Sequence, residues 1–157
     1  VFAAPYASRF GNGWVIFDKQ GETVQIVLPG NLRPPVPAAQ AVPATVQRQI
    51  NELEKYFSGG GWKVASSLAN RAGATEFSRR VYAAVAKIPA GETRTYGEVA
   101  AAAGRPGAAR AVGNLMAANR FPVLIPCHRV VAATGLGGFG GLPELKARML
   151  ELDRSHG

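Results

Sequence analysis

Between Ile88 and Asn119 the sequence places stop and start signals so close together that only short helices joined by tight turns fit. Phe77, Val81, Val85 and Ile88 recur at helical spacing and predict a helix that ends before Pro89-Ala90-Gly91. Thr95 and Glu98 stand three apart, the spacing at which a threonine hydroxyl and a glutamate carboxylate satisfy each other's backbone amides at a helix start. The helix they open runs from Tyr96 to Ala103 and stops at Gly104. A turn through Arg105-Pro106-Gly107 leads into a third helix over about 108–118. Two short helices joined by a Gly-containing turn predict a helix-turn-helix. On the third helix Val112, Leu115 and Met116 should pack inward, and Arg110, Gly113, Asn114 and Ala117 should face out. One arginine among alanine and glycine lets the backbone approach a partner closely; a plain alanine-rich helix is the alternative.

The first half has a different rhythm. Trp14 to Phe17, the turn Asp18-Lys19-Gln20-Gly21 and Thr23 to Leu28 predict a β-hairpin ended by Pro29. Residues 29–43 hold five prolines and predict a surface connection with extended stretches. Val46, Ile50, Leu53 and Phe57 predict an amphipathic helix from Thr45 to Phe57, stopped by Ser58-Gly59-Gly60-Gly61. The domain boundary falls near residues 70–75, giving domains 1–73 and 74–157 of an α+β chain.

Net charge is +8, with eleven Lys/Arg against six Asp/Glu in residues 75–157 and seven against four before them. This excess favours polyanion partners through counterion release, and without a lysine-rich tail it must act from a folded surface. No run of about 18 apolar residues spans a membrane, and Phe2-Ala3-Ala4 is too short for a signal-peptide core. These features predict a cytoplasmic, non-secreted protein; a start at Val1 rather than Met points to a trimmed or processed chain. The only Cys and His residues are Cys127, His128 and His156, too few for a typical structural zinc site. A single cysteine excludes an internal disulfide and suits a reducing compartment.

That cysteine lies in Ile125-Pro126-Cys127-His128-Arg129-Val130-Val131. A thiol becomes a good nucleophile only as thiolate, and an adjacent imidazole or cation is the usual means of forming it. Free cysteine is also among the most buried residue types, so the run alone fits both a packing and a reactive thiol. Val123-Leu124-Ile125 predicts a short strand, because Pro126 biases its predecessor towards extended geometry. Gly135 to Gly141 predicts a flexible loop without the strand–turn–helix frame of a dinucleotide site. A last helix is expected from about Leu142 to Leu152, with Asp153 at its end.

With these motifs in order, residues 75–157 resemble the O6-alkylguanine-DNA alkyltransferases. The resemblance is carried by Phe77, Ile88-Pro89 with Gly91-Glu92, Thr95-Tyr96, Ala109-Arg110-Ala111-Val112-Gly113, Asn119, Pro122 and Ile125 to Val131. It implies a small RNase-H-like N-terminal domain and a mainly α-helical, winged-helix-like C-terminal domain. It further implies repair by stoichiometric transfer of an alkyl group from O6 of guanine, and from O4 of thymine, to Cys127 after base flipping, without a cofactor. A monomer bound to double-stranded DNA through the minor groove is expected, nucleoid-associated if prokaryotic. A non-enzymatic lesion-binding protein is the rival reading.

The resemblance assigns roles as well. His128 would be the base, coupled to the thiol through water, and Asp153 the acid that orients it, with Glu151 a nearby alternative. Tyr96 would hydrogen-bond or protonate the departing guanine. Arg110 would fill the place of the flipped base, with Ala108, Ala109, Ala111, Gly113 and Asn114 against the groove. Asn119 would tie the recognition helix to the active-site strand. Met116, Val130, Phe139 and Gly140 would line or close the base pocket. Phe139 stands where many relatives carry tyrosine, and the connection after Gly135 looks slightly short.

Overall fold

The computed structural model describes residues 1–30, 33–60, 66–138 and 143–155. They contain five strands, β1 (Phe2–Tyr6), β2 (Gly13–Phe17), β3 (Thr23–Val27), β4 (Arg94–Thr95) and β5 (Val130–Val131). The helices are α1 (Ala44–Phe57), α2 (Ser66–Ala72), α3 (Glu76–Ala86), α4 (Tyr96–Ala102), α5 (Ala109–Ala117) and α6 (Pro143–Arg154). The chain divides into two compact units. One comprises Val1–Trp62 with Arg120–Pro122, the other Lys63–Asn119 with Val123–Gly157.

In the first unit the expected hairpin forms, with Trp14 opposite Val27 and Val15 opposite Ile26. A third strand, β1, pairs antiparallel on the other edge of β2, giving the order β1-β2-β3. β2 is buried at every position, as a central strand covered on both faces must be. Trp14 and Ile16 cluster with Ala3, and Val24, Val27 and Val36 pack against them. Tyr6 stacks on Phe57 with ring centroids 6.0 Å apart, and its hydroxyl donates to the Val27 carbonyl at 2.7 Å. A side chain at Gly13 would run into the Tyr6 ring. Helix α1 buries Val46, Ile50, Leu53, Tyr56 and Phe57, the stripe that its 3.6-residue period predicts.

The second unit is built from short capped helices. Thr75 and Ser78 form a capping box on α3, and Thr95 and Glu98 form the predicted one on α4. Arg105-Pro106-Gly107 turns the chain into α5, with Gly107 at φ +88°. Tyr82 is buried on α3, and its hydroxyl donates to the Leu115 carbonyl of α5 at 2.7 Å. Tyr82→Phe leaves that part-buried carbonyl a bond short, so it should lower unfolding free energy by about 1 kcal/mol in urea melts. Among the described residues, no helix is long and apolar enough to cross a membrane.

One sequence expectation is overturned. Val123 and Leu124 form a turn, with Val123 at φ +72°, and not a strand. Pro122 and Pro126, which flank the stretch, lack amide protons, so it cannot feed a regular strand ladder.

Candidate active site

Two residue pairs carry the site. Arg94 pairs with Val130 and Thr95 with Val131, in parallel. The Thr95 capping box then makes Tyr96 the first residue of α4, so this short ladder brings Tyr96 towards the segment that ends at Val130. Cys127, His128 and Arg129 form a single 3-10 turn immediately before β5, and the Arg129 amide donates to the Pro126 carbonyl at 2.9 Å. The thiol therefore lies in a tight turn and not on an extended backbone. Asn119, just beyond α5, donates from Nδ2 to the Ile125 carbonyl at 3.0 Å, which ties the helix end to the cysteine segment.

His128 is wholly buried and Cys127 nearly so. His128 Nε2 meets Asp153 Oδ2 at 2.9 Å. Arg129 Nε donates to the same oxygen at 2.7 Å, Nη2 donates to Asp153 Oδ1 at 3.1 Å, and Nη1 donates to the Ile88 carbonyl at 2.8 Å. Asp153 is thus shared between an imidazole and a guanidinium fork. Burial alone would raise its carboxyl, but the hydrogen bonds from His128 and Arg129 hold it well below the usual carboxylate range. Burial lowers the His128 imidazole; Asp153 opposes that, while the Arg129 and Lys146 charges add to it. Burial pushes the Cys127 thiol up, against the pull of an Asn119 side-chain hydrogen bond and of the Lys146 charge. Burial thus favours the uncharged form of both groups. With Nε2 engaged by Asp153, the buried Nδ1 is the ring nitrogen able to take a proton. Glu151 is exposed.

Lys146, on α6, is fully buried. Its Nζ donates to the Val130 carbonyl at 2.7 Å and the Gly138 carbonyl at 3.2 Å, and lies 5.9 Å from the Tyr96 ring centroid. Burial and the coulombic effect of Cys127 raise the Tyr96 phenol, and a backbone hydrogen bond from Gly138 works the other way. A Cβ on Gly137 would stand 2.6 Å from the Tyr96 hydroxyl, and φ there is +76°. Gly137→Ala should therefore displace Tyr96 and cost about 1–2 kcal/mol of stability by thermal melting. A variant as stable as the parent would show that the turn relaxes freely.

Of the residues expected against DNA, Arg110, Ala111 and Asn114 are exposed, while Ala108, Ala109 and Gly113 are half-buried. Val112 and Met116 are buried and Leu115 half-buried. Ala108 caps α5 without a side-chain hydrogen bond. Phe139 and Gly140 lie outside the described residues. Among the described residues no group of three or more His, Cys, Asp or Glu could hold a metal ion.

Sequence reasoning did not assign roles to Lys146 and Arg129. The signal for Lys146 was present: it precedes Asp153 by seven residues, two helical turns, so both lie on one face with buried Met149 between them. Two charges inside a buried stripe mark a site.

Residues 76–155 match the family described as 6-O-methylguanine DNA methyltransferase, DNA binding domain. A methylated-DNA–protein-cysteine methyltransferase of Mycobacterium bovis is 42% identical over 114 residues, 72% of this chain and 68% of the relative. Its namesake from Methanothermobacter thermautotrophicus is 34% identical over 140 residues, 88% of this chain and 77% of the relative. The crystal structure of Mycobacterium tuberculosis OGT in complex with DNA superposes with a TM-score of 0.79 at 31% identity, covering 99% of this chain and 94% of that one. The helices of the second unit, the buried Cys127 turn and these likenesses agree, and the chain belongs to the O6-methylguanine-DNA methyltransferase family.

Proposed function

We propose that the protein repairs DNA by moving an alkyl group from O6 of guanine, and from O4 of thymine, to Cys127, once per molecule. The observation that carries this is the buried Cys127 turn, with the neighbouring His128 bonded to Asp153 at 2.9 Å and Asn119 tying it to the end of α5. His128 Nδ1 takes the thiol proton through a bridging water, while Asp153 stabilises the imidazolium that forms. The thiolate attacks the alkyl carbon, the S–C bond forms, and the C–O6 bond breaks with its electron pair on guanine. Tyr96 hydrogen-bonds the departing base and gives it a proton, which returns to Tyr96 from the imidazolium by way of solvent. A thioether has no good leaving group and the sequence has no second thiol to remove it, so the product is final.

The target oxygen is inside the duplex, so the nucleotide must leave the stack. Arg110 fills its place, and Ala108, Ala109, Ala111, Gly113 and Asn114 let α5 press into the minor groove. Met116 and Val130 line the base pocket. The first compact unit is an RNase-H-like domain and the second a winged-helix-like one. The protein acts as a monomer in the cytoplasm, at the nucleoid in a prokaryote. The three-stranded β1-β2-β3 sheet with α1 supports the first assignment, and α4, its turn and α5 support the second.

Incubation with duplex DNA containing O6-methylguanine should add one methyl to Cys127 by peptide mass spectrometry, with repair stopping at one equivalent. Multiple turnover, or an unmodified Cys127 with the lesion still bound, would overturn this reading, the latter in favour of a lesion-binding protein.

A further inference from the structure

Val123 is the strained residue of the cysteine segment, and the transfer mechanism gives it no task. Among the described residues it is the one non-glycine with positive φ, at +72°. A left-handed backbone crowds Cβ against the following carbonyl, and a β-branched side chain fits it worst. Val123 and Leu124 are the central residues of the turn before Cys127. A turn with positive φ at its first central residue alone is one that glycine normally opens. Strain of this kind persists only where the surroundings over-determine it. Before Val123, the Arg120 carbonyl accepts from the Ile26 amide of β3 at 2.7 Å, and Phe121 and Pro122 are buried. After it, the Ile125 carbonyl accepts twice, from Asn119 Nδ2 at 3.0 Å and from the Cys127 amide at 2.7 Å. The second bond closes an inverse γ-turn over Pro126, at φ -78° and ψ 65°. The Val123 side chain is itself fully buried, so leaving the left-handed region would pull it out of its packing.

We propose that Val123 is a positioning residue for alkyl transfer: its buried side chain pins a left-handed backbone that sets the Ile125 carbonyl on Asn119 and so fixes the Cys127 turn. The proposal rests on Cys127 being the acceptor. An extended Val123 would swing the Ile125 carbonyl away from Asn119 and carry Cys127 with it. Two properties of one residue are therefore at work, the side chain that pins and the backbone that is pinned. Glycine would supply the backbone without the pin. Alanine would keep the left-handed penalty and lose most of the pin. Packing alone ranks valine above alanine and alanine above glycine, whereas a role carried by the backbone puts glycine above alanine.

Val123→Gly and Val123→Ala in the full chain separate the two. Val123→Gly should melt about 2–4 °C above Val123→Ala, the reverse of their order at an ordinary buried position. Single-turnover methyl transfer is then measured with protein in saturating excess over duplex DNA containing O6-methylguanine. It should slow about tenfold in Val123→Ala and return to within about threefold of the parent in Val123→Gly. Both variants should bind that DNA as the parent does, because α5 is untouched; a loss confined to the chemical step, and rescued by glycine, is what a merely structural role would not give. Alanine equal to or above glycine, in melting or in rate, overturns the proposal, and so does a loss of affinity in step with the rate. A protein in which only the glycine variant folds supports it. If neither folds, side-chain packing alone holds the segment and the proposal falls. A parent that transfers no methyl, with glycine still melting above alanine, strikes the proposed function instead.

Discussion

Asp153→Asn is expected to lose about 3–5 kcal/mol of stability, because it leaves the Arg129 guanidinium buried against an uncharged amide. Arg129 sits 6% exposed by side chain and Asp153 1%, so water cannot replace the lost partner. The same change removes the carboxylate that orients His128 and stabilises its imidazolium, and should slow alkyl transfer by about 10²–10⁴-fold. Urea unfolding and single-turnover repair measure the two effects. The control is Glu151→Gln on the same helix, exposed, where stability should stay within about 0.5 kcal/mol. Should Glu151→Gln slow transfer as much as Asp153→Asn does, the acid has been misassigned. The pH dependence follows from the sign of the shift. The folded carboxyl titrates below its unfolded value, so its contribution is complete above the ordinary carboxylate range and is lost as pH falls from about 4 towards the lowered value. The parent should therefore lose stability steeply in acid, and Asp153→Asn, with nothing to titrate there, should show a shallower slope.

Arg110→Ala is expected to slow repair of O6-methylguanine in duplex DNA by roughly 10–100-fold while changing reaction with free O6-benzylguanine by less than about twofold. Extruding a nucleotide costs a few kcal/mol, and each 1.36 kcal/mol returned to the barrier is about tenfold in rate. Arg110 is exposed on α5, and its removal leaves the buried Val112 and Met116 of that helix in place. Stability should accordingly be unchanged, which separates a role in flipping from one in folding. Equal losses on duplex and free base would sink the finger role, since the free base has no stack to leave.

The elements that were legible in the sequence are those set by short-range chemistry. Thr95 and Glu98 cap α4 because a hydroxyl and a carboxylate three residues apart meet the first amides of any helix begun there. Val46, Ile50, Leu53 and Phe57 line α1 because a 3.6-residue period puts them on one side. β1 was missed: Phe2-Ala3-Ala4-Pro5-Tyr6 carries no clear alternation, and its strand exists because β2 offers an open edge. α2 was missed too, with apolar content too slight to show a period. Val123 to Ile125 looks β-like by composition, yet flanking prolines and the Asn119 bond to the Ile125 carbonyl turn it.

The candidate site divides along the same line. Cys127 and His128 adjoin in the chain, so the sequence alone determined that a thiol and an imidazole share one neighbourhood. It determined as well that a capped helix begins at Tyr96 and that an arginine stands among small residues on α5. Which acid meets His128, which carbonyls hold Lys146, and whether Arg129 points in or out depend on contacts across 16 to 41 residues of chain. Only the packing of α6 and of the end of α3 against the cysteine turn decided those. Burial selects partners for charged groups by proximity in space, and helical period says which residues share a face but not what that face will meet.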